Sequence, residues 1–176
     1  MEGRILRAPD AGRLREEAAR AEAEGCDAVF VWGGSLGDPV VLAAGLAPTV
    51  PRVLLGACLA LTPEGRHPAM LARELTALDL VCGGRSVLCL TPPFGQELGE
   101  AIALCRALWR DGEATSEGPC FPVRAAVNRP GPAGEGSPLV ALDLTGGEEL
   151  PASVGAAADY LLRPTDEAAV CVLERP

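Results

Sequence analysis

Val50–Leu90 reads VPRVLLGACLALTPEGRHPAMLARELTALDLVCGGRSVLCL. Arg52–Leu61 is apolar at nearly every position, the pattern of a strand buried on both faces in a parallel sheet covered by helices. Gly56 inside that run marks a bulge or a close approach by another part of the chain. Pro68–Val81 brings Leu71, Leu75 and Leu78 to one helical face, and Gly83-Gly84 ends the helix. Ser86–Leu90 (SVLCL) is a strand again. Strand, helix and strand in this order form a βα unit on a parallel sheet.

The same alternation extends in both directions. Upstream, residues 11–24 put Leu14, Ala18 and Ala21 on one helical face, with Gly25 as the stop. Asp27–Trp32 (DAVFVW) is a strand leading into Gly33-Gly34, and Ile5-Leu6 belongs to the first strand. Residues 39–47 follow as a helix, with Asp38 as N-cap and Pro39 in first position. Downstream, Glu97–Arg110 carries Leu98, Ala101, Ile102, Cys105, Leu108 and Trp109 on one stripe. Residues 111–137, rich in Gly and Pro, are expected to form an irregular excursion. Pro138–Leu144 predicts a strand, Glu148–Ala157 a helix, Asp159–Leu162 a short strand and Ala168–Leu173 the last strand. We therefore expect one α/β domain over residues 1–176.

Composition narrows the chemistry. The net charge is −9 and no arginine cluster lies on one face, so a phosphate backbone would be repelled and nucleic acid is not expected. No apolar run reaches the roughly 18 to 20 residues that span a bilayer, and the N-terminus lacks the apolar core of a signal peptide. The expected location is the cytoplasm, without a membrane partner. Lysine is absent, which excludes Schiff-base chemistry and a P-loop lysine. The seven cysteines form no C-x-x-C pair and sit mostly in apolar runs. They read as reduced core thiols, and with His67 as the only histidine no metal site is expected.

Several motifs carry a resemblance. They are Arg52–Leu59, Arg66-His67-Pro68, Leu78-Asp79, Gly83-Gly84-Arg85, the helix and turn EAIALCRALWRDGEATSEGPCF, and PLVALDLTGG followed by AAADY. In this order they resemble the luciferase-like monooxygenase family over about residues 10–163. The resemblance implies a shortened TIM-type (β/α) barrel of about seven strands, either closed or left open for a second copy to complete. It implies FMN or the deazaflavin coenzyme F-420 at the C-terminal ends of the strands, and hydride transfer to, or monooxygenation of, a small organic substrate. A homodimer is expected at the edge left by the shortening, around Val170 and Val172.

Carried onto this sequence, the cofactor-binding candidates are Trp32 and Gly33, Ala57, Cys58 and Leu59 in a third-strand bulge, and Thr145, Gly146 and Gly147. The last three are expected to open a helix whose N–H groups receive a phosphate. Each also has a plainer reading: Trp32 as core packing, Cys58 as a core thiol, the glycine pair as a turn. His67 is expected to be structural, and Glu97, Glu100, Glu148 and Glu149 to be helix N-terminal residues. No catalytic residue is singled out. Gly33-Gly34 stand where deazaflavin-dependent relatives often have Asp-His, and TPPFGQ replaces a longer fourth-strand turn. A non-catalytic flavin-binding or structural partner subunit is therefore the alternative reading.

Overall fold

The computed structural model describes all residues except 62–64, 96, 135, 137, 151 and 168, and only the backbone of 152 and 153. The element order is β1 (Glu2–Leu6), α1 (Ala11–Ala23), β2 (Ala28–Trp32), α2 (Pro39–Leu46), β3 (Leu54–Ala60), α3 (Pro68–Cys82), β4 (Ser86–Thr91) and α4 (Glu97–Asp111). It continues with β5 (Glu113–Ser116), β6 (Val123–Val127), β7 (Leu139–Asp143), α5 (Ala152–Gly155), β8 (Tyr160–Pro164) and β9 (Val170–Glu174). Strands β1, β2, β3, β4, β7, β8 and β9 form a closed barrel in that order.

Closure uses two kinds of pairing. From β1 through β8 the neighbours are parallel, whereas β9 runs antiparallel to both β8 and β1. The barrel therefore has no open edge, and the completion by a second subunit considered from the sequence is not needed. Val170 and Val172, expected at an unpaired edge, lie on a strand bonded on both sides. Ala168, the expected first residue of this strand, lies outside the described residues.

Helices α1 to α4 cover the outer faces of β1 to β4. Leu14, Ala18 and Ala21 are the buried side chains of α1, as its spacing requires. Asp38 caps α2, its carboxylate accepting from the N–H groups of Val40 and Val41. On the outer wall Val29, Val31, Leu55, Ala57, Leu88 and Leu90 are buried under the helices. The interior holds Ile5, Ala28, Phe30, Cys58, Val87, Cys89, Ala141, Leu162, Cys171 and Leu173. Barrel diameter grows with strand number, and a seven-stranded wall suits this small-residue lining. Phe30 is the one large ring at its centre. It packs where Gly56 leaves room, because a Cβ on Gly56 would overlap the ring. Gly56 is thus a close approach and not a bulge: β3 keeps unbroken register with β2 and β4.

Two other expectations change. Residues 113–127 of the excursion form an antiparallel β5–β6 hairpin. Asn128 ties its end to the barrel by donating to the Thr76 hydroxyl on α3 at 2.9 Å. Helix Glu148–Ala157 shrinks to the four residues of α5. One proline and one glycine interrupt that segment, so its helical propensity cannot offset nucleation. Among the described residues no helix is long and apolar enough to cross a membrane, and no group of three or more His, Cys, Asp or Glu could hold a metal ion.

Candidate ligand site at the barrel mouth

In a parallel barrel wall the strands' C-terminal ends converge on one mouth, from which the connecting loops depart. Side-chain alternation decides what faces it. On β4, Val87 and Cys89 point inward, so Thr91, two residues further, is inward at the rim. On β7 the same step from Ala141 brings Asp143 inward. Trp32 packs against the interior at the end of β2. Arg7, just past β1, lays its guanidinium over the Trp32 ring, 4.8 Å from the centroid.

Two of these groups are unpartnered. The indole Nε1–H of Trp32 and the hydroxyl of Thr91 are buried without a hydrogen-bond partner among the described residues. Thr91 is only 1% exposed. A buried polar group left without a partner costs about 1–3 kcal/mol, so two at one rim mark a place where a ligand or water completes the bonding. Asp143, by contrast, is engaged: its carboxylate accepts from the Thr145 N–H at 3.0 Å and hydroxyl at 2.6 Å. Beside the rim lies a cleft of about 480 Å³ lined by Ile5, Arg7, Glu17, Thr145, Pro164 and Val170, among others. A cleft of similar size, about 490 Å³, opens outside the wall between Leu161, Arg163 and Glu148. Its lining, Leu144 and Glu148 after β7 and Arg163 on β8, includes neither Trp32 nor Thr91.

The floor of the mouth is a layer of thiols. Cys58 and Cys89 are register partners on β3 and β4. The adjoining Cys58 thiol, then burial, then the nearby Asp143 charge push the Cys89 thiol well above its ordinary range. Burial first, then Cys89 and Asp143, push Cys171 up to about 12. Cys89 and Cys171 therefore stay protonated at neutral pH and close the floor as small apolar groups, not as nucleophiles.

The cofactor-binding candidates separate on these coordinates. Trp32, Gly33 and Thr145 stand at the mouth, and Cys58 lies in its floor. Ala57 and Leu59 pack outward against the helices. The Thr145-Gly146-Gly147 turn closes on itself. Its Thr145 N–H goes to Asp143, the Gly147 N–H donates to the Leu144 carbonyl at 3.0 Å, and the Glu148 carboxylate sits against Gly146. No helix begins there. The unpartnered indole N–H and hydroxyl at the rim are of the kind that the polar edge of a flavin ring would satisfy; the turn is poorly suited to a phosphate, because Thr145 and Gly147 already donate within the chain and the Asp143 and Glu148 carboxylates lie beside it.

His67 is the N-cap of α3, its Nδ1 accepting from the Ala69 N–H at 3.2 Å, and its ring meets Phe121 edge-on. Glu100 accepts from the N–H groups of Cys120 and Phe121. Glu148 and Glu149 lie in irregular chain, not at a helix start. The sequence reading missed Arg7, Thr91 and Asp143. A carboxylate ending the apolar run PLVALDL was the available signal, because polar residues at barrel-strand C-termini serve sites more often than packing.

Residues 2–163 match the luciferase-like monooxygenase family. Among solved structures, the coenzyme F-420-dependent tetrahydromethanopterin reductase from Methanopyrus kandleri superposes with a TM-score of 0.73 at 15% identity, over 90% of this chain and 54% of that one. An F-420-dependent secondary alcohol dehydrogenase, in complex with an F-420–acetone adduct, gives 0.69 at 19%, over 90% and 56%. The FMN-bound oxygenating constituent of 3,6-diketocamphane monooxygenase from Pseudomonas putida gives 0.61 at 17%, over 80% and 50%. At these identities the likeness establishes the fold, and the chain spans about half the length of these proteins. No curated protein matches the chain.

Proposed function

Because the chain belongs to the luciferase-like monooxygenase family, we propose that its barrel mouth binds the ring of FMN or F-420 and that it serves as an oxidoreductase on a small organic substrate. The observation that carries this reading is the unpartnered pair, Trp32 Nε1–H and Thr91 Oγ1, buried on inward positions of β2 and β4. Trp32 would donate to a ring acceptor, and Thr91 can donate or accept. When bound, the cofactor would supply the hydride chemistry. The chain's part is to hold the ring against the rim, to exclude water from beneath through the Phe30 and thiol layers, and to leave the open cleft for substrate.

A second reading has its own support: His67, the one histidine of the chain, caps α3 through its Nδ1 and packs on Phe121. No imidazole is then left to serve the mouth as a general base, which suits a flavin-binding subunit without turnover. Fluorescence separates the outcomes. Trp109 is buried with its Nε1–H bonded to the Ala72 carbonyl, so quenching on titration with FMN or F-420 should come from Trp32 and vanish in Trp32→Phe. Thr91→Val should weaken binding about tenfold, the worth of one hydrogen bond in a dry site. If neither cofactor quenches Trp32 or shifts its own absorbance at millimolar concentration, the reading fails. Tight binding without reduction or reoxidation by alcohols, aldehydes or alkanes would select the subunit reading.

Self-association also belongs to this proposal, at a different place from the one expected. Met70, Leu80 and Val81 on α3 and Val41 on α2 are all exposed. A second copy would bury them, whereas β9 has both of its edges paired.

A further inference from the structure

The turn after β7 presents the Asp143 and Glu148 carboxylates and donates from Thr145 and Gly147 within the chain, so it is a poor seat for the anionic end that both FMN and F-420 carry. Resting on the mouth reading above, we propose that Arg7 is the anchor for the ligand's phosphate. Among the described residues Arg7 has neither an ion-pair nor a hydrogen-bond partner; its contact is the face of Trp32. The ring contact places the guanidinium 4.8 Å from the Trp32 centroid without using its N–H donors in an ion pair, and a guanidinium fork is suited to binding phosphate bidentately. The position is also apt, since Arg7 both stacks on the rim tryptophan and lines the 480 Å³ cleft.

Two other cations on elements at this end of the barrel are engaged. Arg66 is paired with Asp38 and Glu74, and Arg163 with Glu174 at 3.6 Å. The remaining polar groups of the cleft are used or repelling. Thr145 donates its hydroxyl to Asp143. The Thr165 hydroxyl serves the Glu167 and Val170 carbonyls. Glu17 stands 3.8 Å from Arg13, and Glu167 is exposed on the loop between β8 and β9. The net charge of −9 opposes an approaching anion at long range. Retention of a phosphate therefore depends on direct contact with one guanidinium, and its removal should be felt in full.

The test compares ligands that share a ring and differ in the anionic tail: FMN against riboflavin, and F-420 against its uncharged deazaflavin riboside. Affinities are read from Trp32 quenching and from the ligand's own spectrum, with no turnover required. Wild type should prefer the phosphorylated member of the binding pair by roughly tenfold or more, as a charge-assisted contact provides. Arg7→Gln should reduce that preference, read as the ratio of the two affinities within the variant, to within about threefold. Arg7→Lys should retain an intermediate preference, because a point charge lacks the fork. Added salt should weaken phosphorylated-ligand binding in wild type and much less in Arg7→Gln. Arg7 is exposed, so an unchanged melting temperature should show that the variants fold. Equal affinity of wild type for both members, or a preference that survives in Arg7→Gln, overturns the anchor while the ring reading stands. Failure of all four ligands to bind sinks the mouth reading and the anchor with it.

Discussion

The two sides of this barrel are built by different rules. From β1 to β4 each strand is followed by a helix, and β2 and β4 are buried along almost their whole length, Val29, Phe30, Val31, Leu88 and Cys89 being 0% exposed. On the other side α5 is a single turn and β9 alternates: Cys171 and Leu173 are buried, Val172 and Glu174 exposed. Parallel neighbours need a long crossover and so bring a covering helix with them. An antiparallel neighbour needs only a short connection, as between Pro164 at the end of β8 and Val170 at the start of β9. A chain with fewer strands than a full barrel closes by reversing its last strand, at the cost of leaving one outer face without a helix.

The largest expected effect lies on the helix-covered side. Gly56→Val drives a branched side chain into the Phe30 ring, and both walls behind that ring are in strand register, so neither can yield. A loss of at least about 3 kcal/mol is expected, the upper end of overpacking penalties. Phe30→Leu in the same chain should recover part of it, measured by urea unfolding. Absence of any recovery would show that the penalty comes from the strand backbone and not from the ring.

Alkaline pH acts on both sides at once and sharpens the comparison. Burial pushes Cys105, under the helices, up to about 12, and Cys171 on β9 reaches about 12 as well. Each thiol ionises in the unfolded chain near its ordinary value of 9.0. Protons therefore leave the unfolded state first as pH rises. The stability these thiols contribute is intact below pH 9 and declines between 9 and 12, by about 1.4 kcal/mol per pH unit for each. Cys105→Ala and Cys171→Ala should each flatten the wild-type decline by that slope in urea melts at pH 8, 9.5 and 10.5. An equal flattening would mean that the hairpin side excludes water as well as the helix-covered side does. A change for Cys105→Ala alone would mean that β9 admits it.

How much of this was legible follows the same division. Where helix and strand alternate, periodicity located the elements: Leu14, Ala18 and Ala21 are the buried face of α1, and of the α4 stripe only Leu104 was missed. The antiparallel sense of β9 could not be read, because AAVCVL fits either direction and its partners are set by the whole ring of strands. The short α5 was overestimated because apolar spacing alone does not supply a nucleus. The mouth was half legible. Trp32 follows from its place at the end of a strand, but Arg7 and Thr91 join it only when seven strands curl round to put residues 7, 32 and 91 together. The Thr145–Gly147 turn has the composition of a phosphate loop, and only the structure shows that the Asp143 carboxylate at the end of β7 takes both the N–H and the hydroxyl of Thr145.

The smallest effect is expected at β9, where a matched pair of substitutions tests the division directly. Val87→Thr and Val172→Thr exchange the same methyl for the same hydroxyl, on strands of opposite sense. Val87 is fully buried inside the barrel beside Gly56, where a hydroxyl finds no partner, so a loss of about 1–3 kcal/mol is expected. Val172 is 37% exposed on the outer face, paired with Glu2 on β1 and Arg163 on β8. Water reaches a hydroxyl there, and the β-branch is kept, so the change should stay within about 0.5 kcal/mol. Sedimentation of Val172→Thr should match wild type, because this strand has no free edge to offer a second copy. Val81→Glu on α3, which is 60% exposed, should instead weaken any self-association at micromolar concentration. If Val172→Thr shifts the assembly and Val81→Glu does not, the uncovered face of β9 is itself an interface, and the division drawn between the two sides would have to be one of partners and not of pairing.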